Sequence, residues 1–385
     1  MLGWPRMSLD RWLADCARER DRAGLTRCLG DRAEDLGLID LAGNDYLGLS
    51  RHPRVVEAAA QAALTWGAGA GASRLVTGTL GVHRELESVL ARFCDQPAGL
   101  VFSTGYHANL AVVAALADED TVIVSDAHVH ASLIDACRLA RVRVQVTTHN
   151  DVEAVRAALV GRSEDRALVL VESIYSVFGD AAPLGELASL CAEHDGVLIV
   201  DEAHAIGVAG SRGEGLVSSL GLAGRGEVIV TATLSKSLGS QGGAVLGAPA
   251  LVEHLVNKAR PFIYDTGLAP AAAGGALAAL RVLQDEPERA AAVRAGTSAL
   301  ADAVGTARPA GAVLAVPTPG PREALAAQAH CAKRGLRVGC FRPPSTPDGS
   351  SRLRITGRAT LRGTELDLVC RALAESLNDA LSGEA

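Results

Sequence analysis

Lysine is almost missing from this chain: of its 37 lysine and arginine residues only Lys236, Lys258 and Lys333 are lysine. Arginine is the default base here, so each lysine raises the question of what an arginine could not do. A basic excess is missing too. With 44 acidic residues and a net charge of −7, the sequence lacks the electrostatic footprint that nucleic acid or an anionic membrane requires, and neither is expected as a partner. Aromatic residues are 3% of the chain, too few for base-stacking platforms, which leaves Ala, Val and Leu to build the core. The long uncharged run at 266–280 is interrupted by Pro270 and a glycine pair. It falls short of the roughly 18 to 20 residues that span a bilayer and reads as a buried helix. Charges at Arg6, Asp10, Arg11 and Asp15 break up any signal-peptide core, so a cytoplasmic protein is expected. The eight cysteines, Cys28 among them, form no Cys-x-x-Cys and no zinc-finger spacing. They read as reduced thiols in small apolar sites.

What is present is a rhythm. Apolar, β-branched runs at 99–103, 121–125, 142–146, 167–172, 197–201, 228–231 and 243–246 alternate with helix-period stretches such as 131–140, 152–159 and 184–194. Such alternation predicts a three-layer α/β/α core around a mostly parallel seven-stranded sheet. An Arg-rich amphipathic helix and a short strand near 37–41 precede it. Beyond 282, helices surround strand candidates at 311–316, 336–340 and 352–356, as in a smaller α+β unit. The expected division is 1–43, an N-terminal helical arm and strand, 44–283, a large domain, and 284–385, a small C-terminal domain.

Three motifs could carry chemistry. In VIVTATLSKSLG a strand runs into a small polar turn holding Lys236; a lysine, unlike an arginine, can lose its proton and form an imine with an aldehyde. In VLIVDEAHAIG a buried strand delivers Asp201 to its carboxyl end, where open parallel sheets bind ligands, and His204 follows three residues later. The Asp201 carboxylate is either a helix cap or the partner of a cation such as a protonated heterocyclic nitrogen. In VFSTGYHAN a strand passes through Gly105 and Tyr106 into a helix whose free N–H groups suit a phosphate. His128 and His130, two apart in an extended segment, leave a metal site open as an alternative. The GAGAG stretch at 67–71 lacks the dinucleotide-binding spacing and reads as a tight loop.

Taken in order, these motifs resemble the pyridoxal-phosphate enzymes of the aspartate-aminotransferase-like class, fold type I. With NDYLGL at 44–49, the segment 173–180 and RPPSTPDGSSRLRIT at 342–356, the chain resembles the α-oxoamine synthases from about residue 20 onward. The Arg-Pro-Pro stretch resembles the member that joins L-alanine to a pimeloyl thioester, on coenzyme A or acyl carrier protein, in biotin synthesis. The resemblance implies a homodimer with its active site at the subunit interface. It implies that Lys236 holds pyridoxal 5'-phosphate, that Asp201 pairs with the pyridine nitrogen, and that His130 stacks on the ring. His204 and Ser176 would address the phenolic oxygen. Gly105, Tyr106 and Thr233 would hold the phosphate, with Thr266 reaching it from the second subunit. Arg354 would bind the amino-acid carboxylate beside Asn44, and Arg27 and Ser345 would meet the acyl substrate. Asp265 stands where a serine is common in this family. Two rivals remain: a sister synthase using glycine with acetyl-, succinyl- or longer acyl-CoA, and a metal-dependent hydrolase built on His128 and His130.

Overall fold

The computed structural model describes residues 8–27, 29 and 37–381. Eleven strands occur among them: β1 (Ile39–Leu41), β2 (Ala98–Phe102), β3 (Thr121–Asp126), β4 (Val144–Thr147), β5 (Arg166–Glu172), β6 (Gly196–Asp201), β7 (Val228–Thr233), β8 (Gly243–Gly247), β9 (Val313–Thr318), β10 (Leu336–Phe341) and β11 (Ser351–Thr356). Seven form the large sheet, in the order β2-β8-β7-β6-β5-β3-β4. Each matches a run read from the sequence to within two residues. β8 alone runs opposite to the other six strands.

Residue parity explains the three layers. Val122, Val124, Val169, Val171, Leu198, Val200 and Val230 join one apolar cluster, while Ile123, Leu168, Leu170, Ile199 and Ile229 join another. Alternate side chains of a strand point to opposite faces, so a continuous apolar run needs cover on both. The run at 266–280 forms most of the helix Pro270–Asp285, largely buried. A Cβ at Gly274 would lie 2.6 Å from the Cβ of Ala62, which shows how closely this helix approaches Pro53–Trp66.

The second sheet has the order β1-β10-β11-β9 and its own apolar cluster, which includes Leu41, Val316, Val338 and Ile355. The N-terminal strand therefore completes a sheet made by the C-terminal segment, pairing parallel with β10. The helix Leu9–Arg22 buries none of its residues. No described helix is long and apolar enough to cross a membrane. The seven described cysteines are free thiols; Cys28 lies outside the described residues.

Candidate active site

The site lies at the carboxyl ends of β5, β6 and β7. Asp201 follows Val200, and Glu172 follows Val171, at paired positions of neighbouring strands. Parity turns both carboxyls toward the face covered by the helix Gly105–Leu116. Both are buried. Asn109 of that helix donates from Nδ2 to Asp201 Oδ2 at 2.7 Å, and the Ala203 N–H donates to Oδ1 at 2.9 Å. The same Nδ2 reaches Ser132 Oγ (2.8 Å), which contacts His130 Nδ1 (2.8 Å). Asp201 is thus held by side chains as well as by a local turn.

A cavity of about 260 Å³ opens above these groups, bounded by Gly105, Tyr106, Asn109, Asp201, Thr233 and Lys236, with His130 on its rim. The helix begins at Gly105 behind the Thr104 cap, whose side chain accepts only the His107 N–H; the first N–H groups of a helix have no partner within it. A Cβ at Gly105 would stand 3.0 Å from Thr233 Cβ, so a side chain would crowd this corner. Lys236 and His130 also border a second cavity of about 370 Å³. Its polar lining includes Asn44, Ser176, His204, Ser345 and Arg354, and Val129, Ile134, Phe341, Pro344 and Pro347 supply apolar wall. Lys236 therefore stands between an anion-accepting chamber and one that carries a guanidinium.

Burial drives the electrostatics. It lowers the Lys236 ammonium to about 8, against the upward pull of Asp201 and Glu172 and with help from Arg354. Burial, followed by the Asp201 charge, pushes Glu172 up to about 8. His204 is held well below its ordinary value by burial and then by Lys236 and Arg354; its Nε2 lies 2.8 Å from Lys236 Nζ. Burial also lowers His130. Arg354 donates from Nε to the Ser176 carbonyl (2.7 Å) and from Nη1 to Asn44 Oδ1 (3.1 Å). Each Nη keeps a second N–H, and the guanidinium borders the second cavity as its cation.

Most residues named from the sequence meet here. Arg27 reaches the second cavity's edge by donating to Ser345 Oγ at 3.0 Å. Tyr106 lines the first cavity while its hydroxyl bonds Asp135. Thr266 lines neither chamber and instead bridges Ser73. Asp265 accepts from Ser103 and lies 3.2 Å from His107 Nδ1. Three residues without a role in the sequence reading belong to the site: Asn109, Glu172 and Tyr46, whose hydroxyl lies against His204 and Arg354. Signals existed for two of them. Asn109 is a polar intrusion in an apolar helix, and Glu172 ends an apolar run as Asp201 does.

The two histidines of the metal alternative have different partners. His130 bonds Ser132, whereas His128 stacks on His149 (centroids 4.0 Å apart) and Phe178 (4.8 Å). His149 in turn lies between Asp126 (2.9 Å) and Asp180 (2.8 Å). Burial opposes its charge, but the two carboxylates prevail and raise it from 6.5 to about 9. Stability from such a raised imidazolium is complete below about pH 6.5 and is lost as pH rises through about 9. Its size is on the order of 3 kcal/mol. Urea unfolding of wild type and His149→Gln should therefore show a stability gap at about pH 6 that closes by about pH 9.5. A gap independent of pH would mean that the carboxylates do not hold this proton.

The family model for aminotransferase class I and II matches residues 37–373. An 8-amino-7-oxononanoate synthase of Mycobacterium sp. (strain JLS) is 53% identical over 370 residues, 96% of this chain and 97% of that one. The enzyme of the same name from Mycobacterium tuberculosis (strain ATCC 25177 / H37Ra) is 53% identical over 367 residues, 95% of both chains. Among solved structures, a serine palmitoyltransferase from S. paucimobilis with PLP and myriocin bound superposes with a TM-score of 0.90 at 28% identity. It covers 97% of this chain and 99% of its own. An 8-amino-7-oxononanoate synthase from Francisella tularensis gives 0.75 at 24% identity, covering 89% of this chain and 98% of its own, and speaks to the fold alone.

Proposed function

Because the chain belongs to the 8-amino-7-oxononanoate synthases, pyridoxal-phosphate-dependent acyltransferases within the class I and II aminotransferase family, we propose that it condenses L-alanine with a pimeloyl thioester, carried on coenzyme A or acyl carrier protein, with loss of carbon dioxide. One observation carries this reading: Lys236 sits between a chamber floored by Asp201 and a chamber walled by Arg354. The first chamber fits pyridoxal phosphate. Its glycine corner and helix start suit a phosphate, its buried carboxylate suits a protonated ring nitrogen, and its amine can bond an aldehyde. When bound, this cofactor supplies an electron sink for a carbanion at the amino-acid Cα.

The chain's own residues divide the remaining work. Gly105, Tyr106 and Thr233 would hold the phosphate, Asp201 would keep the ring nitrogen protonated, and His130 would cover the ring. His204 and Ser176 would address its phenolic oxygen. Arg354, steadied by Asn44, supplies the cation for the alanine carboxylate, which aims the Cα–H at Lys236. Lys236, poised at about 8, takes that proton and returns one after carbon dioxide has left. The apolar wall of the second chamber excludes water and receives the acyl chain, with Arg27 and Ser345 at its edge. Exposed Leu75, Val76 and Tyr264 near the Ser73–Thr266 bridge support a homodimer in which Thr266 serves the partner's phosphate. The absence of a spanning helix among the described residues agrees with a cytoplasmic location.

Purified protein supplied with alanine, glycine or serine and a panel of thioesters tests the proposal. Alanine with pimeloyl thioester should give the highest kcat/KM. Turnover of glycine with short acyl thioesters and none with pimeloyl would assign a sister synthase instead.

A further inference from the structure

Tyr46 is fully buried, yet its hydroxyl touches three polar side chains, two of them from distant segments. It lies 2.8 Å from His204 Nδ1 and 3.0 Å from Asn44 Oδ1, and it accepts from Arg354 Nη2 at 3.2 Å. His204 presents its other nitrogen to Lys236 Nζ at 2.8 Å. We infer that Tyr46 is a positioning residue that sets the tautomer of His204, and through it the protonation of Lys236, under the influence of Arg354. The inference rests on the proposed role of Lys236 as an amine that must be neutral to react.

Tyr46 has a single hydroxyl proton, and Arg354 already donates to its oxygen, so that proton goes either to His204 Nδ1 or to Asn44 Oδ1. Asn44 Oδ1 already accepts from Arg354 Nη1. If the proton goes to Nδ1, the neutral imidazole carries its own on Nε2 and donates it to Lys236, which must then be an uncharged amine with a lone pair free. If it goes to Asn44, Nδ1 must bear the imidazole proton and Nε2 becomes an acceptor, to which Lys236 can donate as an amine or as an ammonium. The first arrangement thus admits only the neutral amine, whereas the second also admits the ammonium. Every donor in the first arrangement points away from the Arg354 guanidinium, so the hydroxyl proton on Nδ1 works against the ammonium on Lys236. The charged and titratable groups facing Lys236 and His204 from the surrounding elements are Asp201 on β6, Glu172 on β5, Arg354 on β11 and His130 after β3. A change confined to the Tyr46 hydroxyl leaves all of them in place.

Tyr46→Phe removes the hydroxyl and keeps the ring in the core. Nothing then donates to Nδ1, Nε2 is free to accept from an ammonium, and the Lys236 midpoint should rise. The rarity of lysine makes this measurable: Lys258 and Lys333 are exposed and serve as internal standards. Trace acetic anhydride labelling of the full chain across pH, read by peptide mass spectrometry, gives the midpoint of Lys236 relative to both, without cofactor or turnover. The expected shift is about one unit upward, or roughly tenfold less relative labelling of Lys236 near neutral pH. An unchanged midpoint in a folded Tyr46→Phe protein would overturn the inference. So would an equal shift when the substitution is made in a His204→Ala background, because the effect would then not pass through the imidazole. If Tyr46→Phe does not fold, His204→Ala alone decides, since removing the Nε2–H donor should also raise the midpoint; no rise overturns the relay. A failure of the proposed function would appear differently, as absent turnover with alanine and pimeloyl thioester while the labelling midpoints still move.

Discussion

Lys236→Ala is expected to abolish condensation, with a loss on the order of 10⁴-fold or more, because positioned proton transfer alone is worth about 10² to 10⁴ and covalent attachment of the cofactor is lost with it. Lys236→Arg should do no better. A guanidinium never gives up its proton under these conditions, so it can neither bond an aldehyde nor receive a proton from Cα. The arginine variant is the sharper test, because it preserves the positive charge beside Asp201 and Glu172 while removing only the chemistry. Both proteins should keep the far-UV circular dichroism of wild type and lose the visible colour of lysine-bound cofactor. Steady-state kcat within tenfold of wild type in either one would remove Lys236 from its assigned role.

That expectation could be formed from the sequence because a lysine in an arginine-rich chain, placed after a buried strand, is a local signal. The strands were legible for the same reason: their runs of β-branched residues match the covered faces of β3, β5, β6 and β7. Strand direction was not legible, since nothing within GAVLG distinguishes an antiparallel β8; its partners β2 and β7 decide that through backbone pairing. The parallel pairing of β1 with β10 joins opposite ends of the chain and has no local signature. Asp201 and Glu172 ended similar apolar runs, but only the register of β5 against β6 brings the two carboxyls together. Tyr46 stands in NDYLGL with no local sign of a role, because its function depends on Arg354, Asn44 and His204 meeting at one oxygen. Chemistry carried by single residues was readable, while chemistry carried by juxtaposition required the fold.

Asp201→Asn should lower kcat by about 10³-fold, equivalent to about 4 kcal/mol, without emptying the site of its shape. The amide is nearly isosteric, yet it has only one oxygen for two donors, the Ala203 N–H and Asn109 Nδ2. Its own NH₂ must therefore face a donor unless Asn109 turns over, at a cost of about 1 to 3 kcal/mol. The larger loss is the charge that keeps a ring nitrogen protonated. A second consequence separates this from simple disruption: Asp201 is the chief group holding Lys236 up, so the lysine's labelling midpoint should move below about 8. Glu172 will blunt that movement. Relieved of the neighbouring charge, its carboxyl should fall below about 8, although burial, the larger cause, still holds it above its ordinary value, and it ionises more readily beside the amine. Adding Glu172→Gln should then expose the full downward shift. The sign is opposite to that expected for Tyr46→Phe, so one labelling series tests both ends of the network. If Asp201→Asn left the Lys236 midpoint unmoved even with Glu172→Gln and kept kcat within tenfold, Asp201 would be a structural cap and no more.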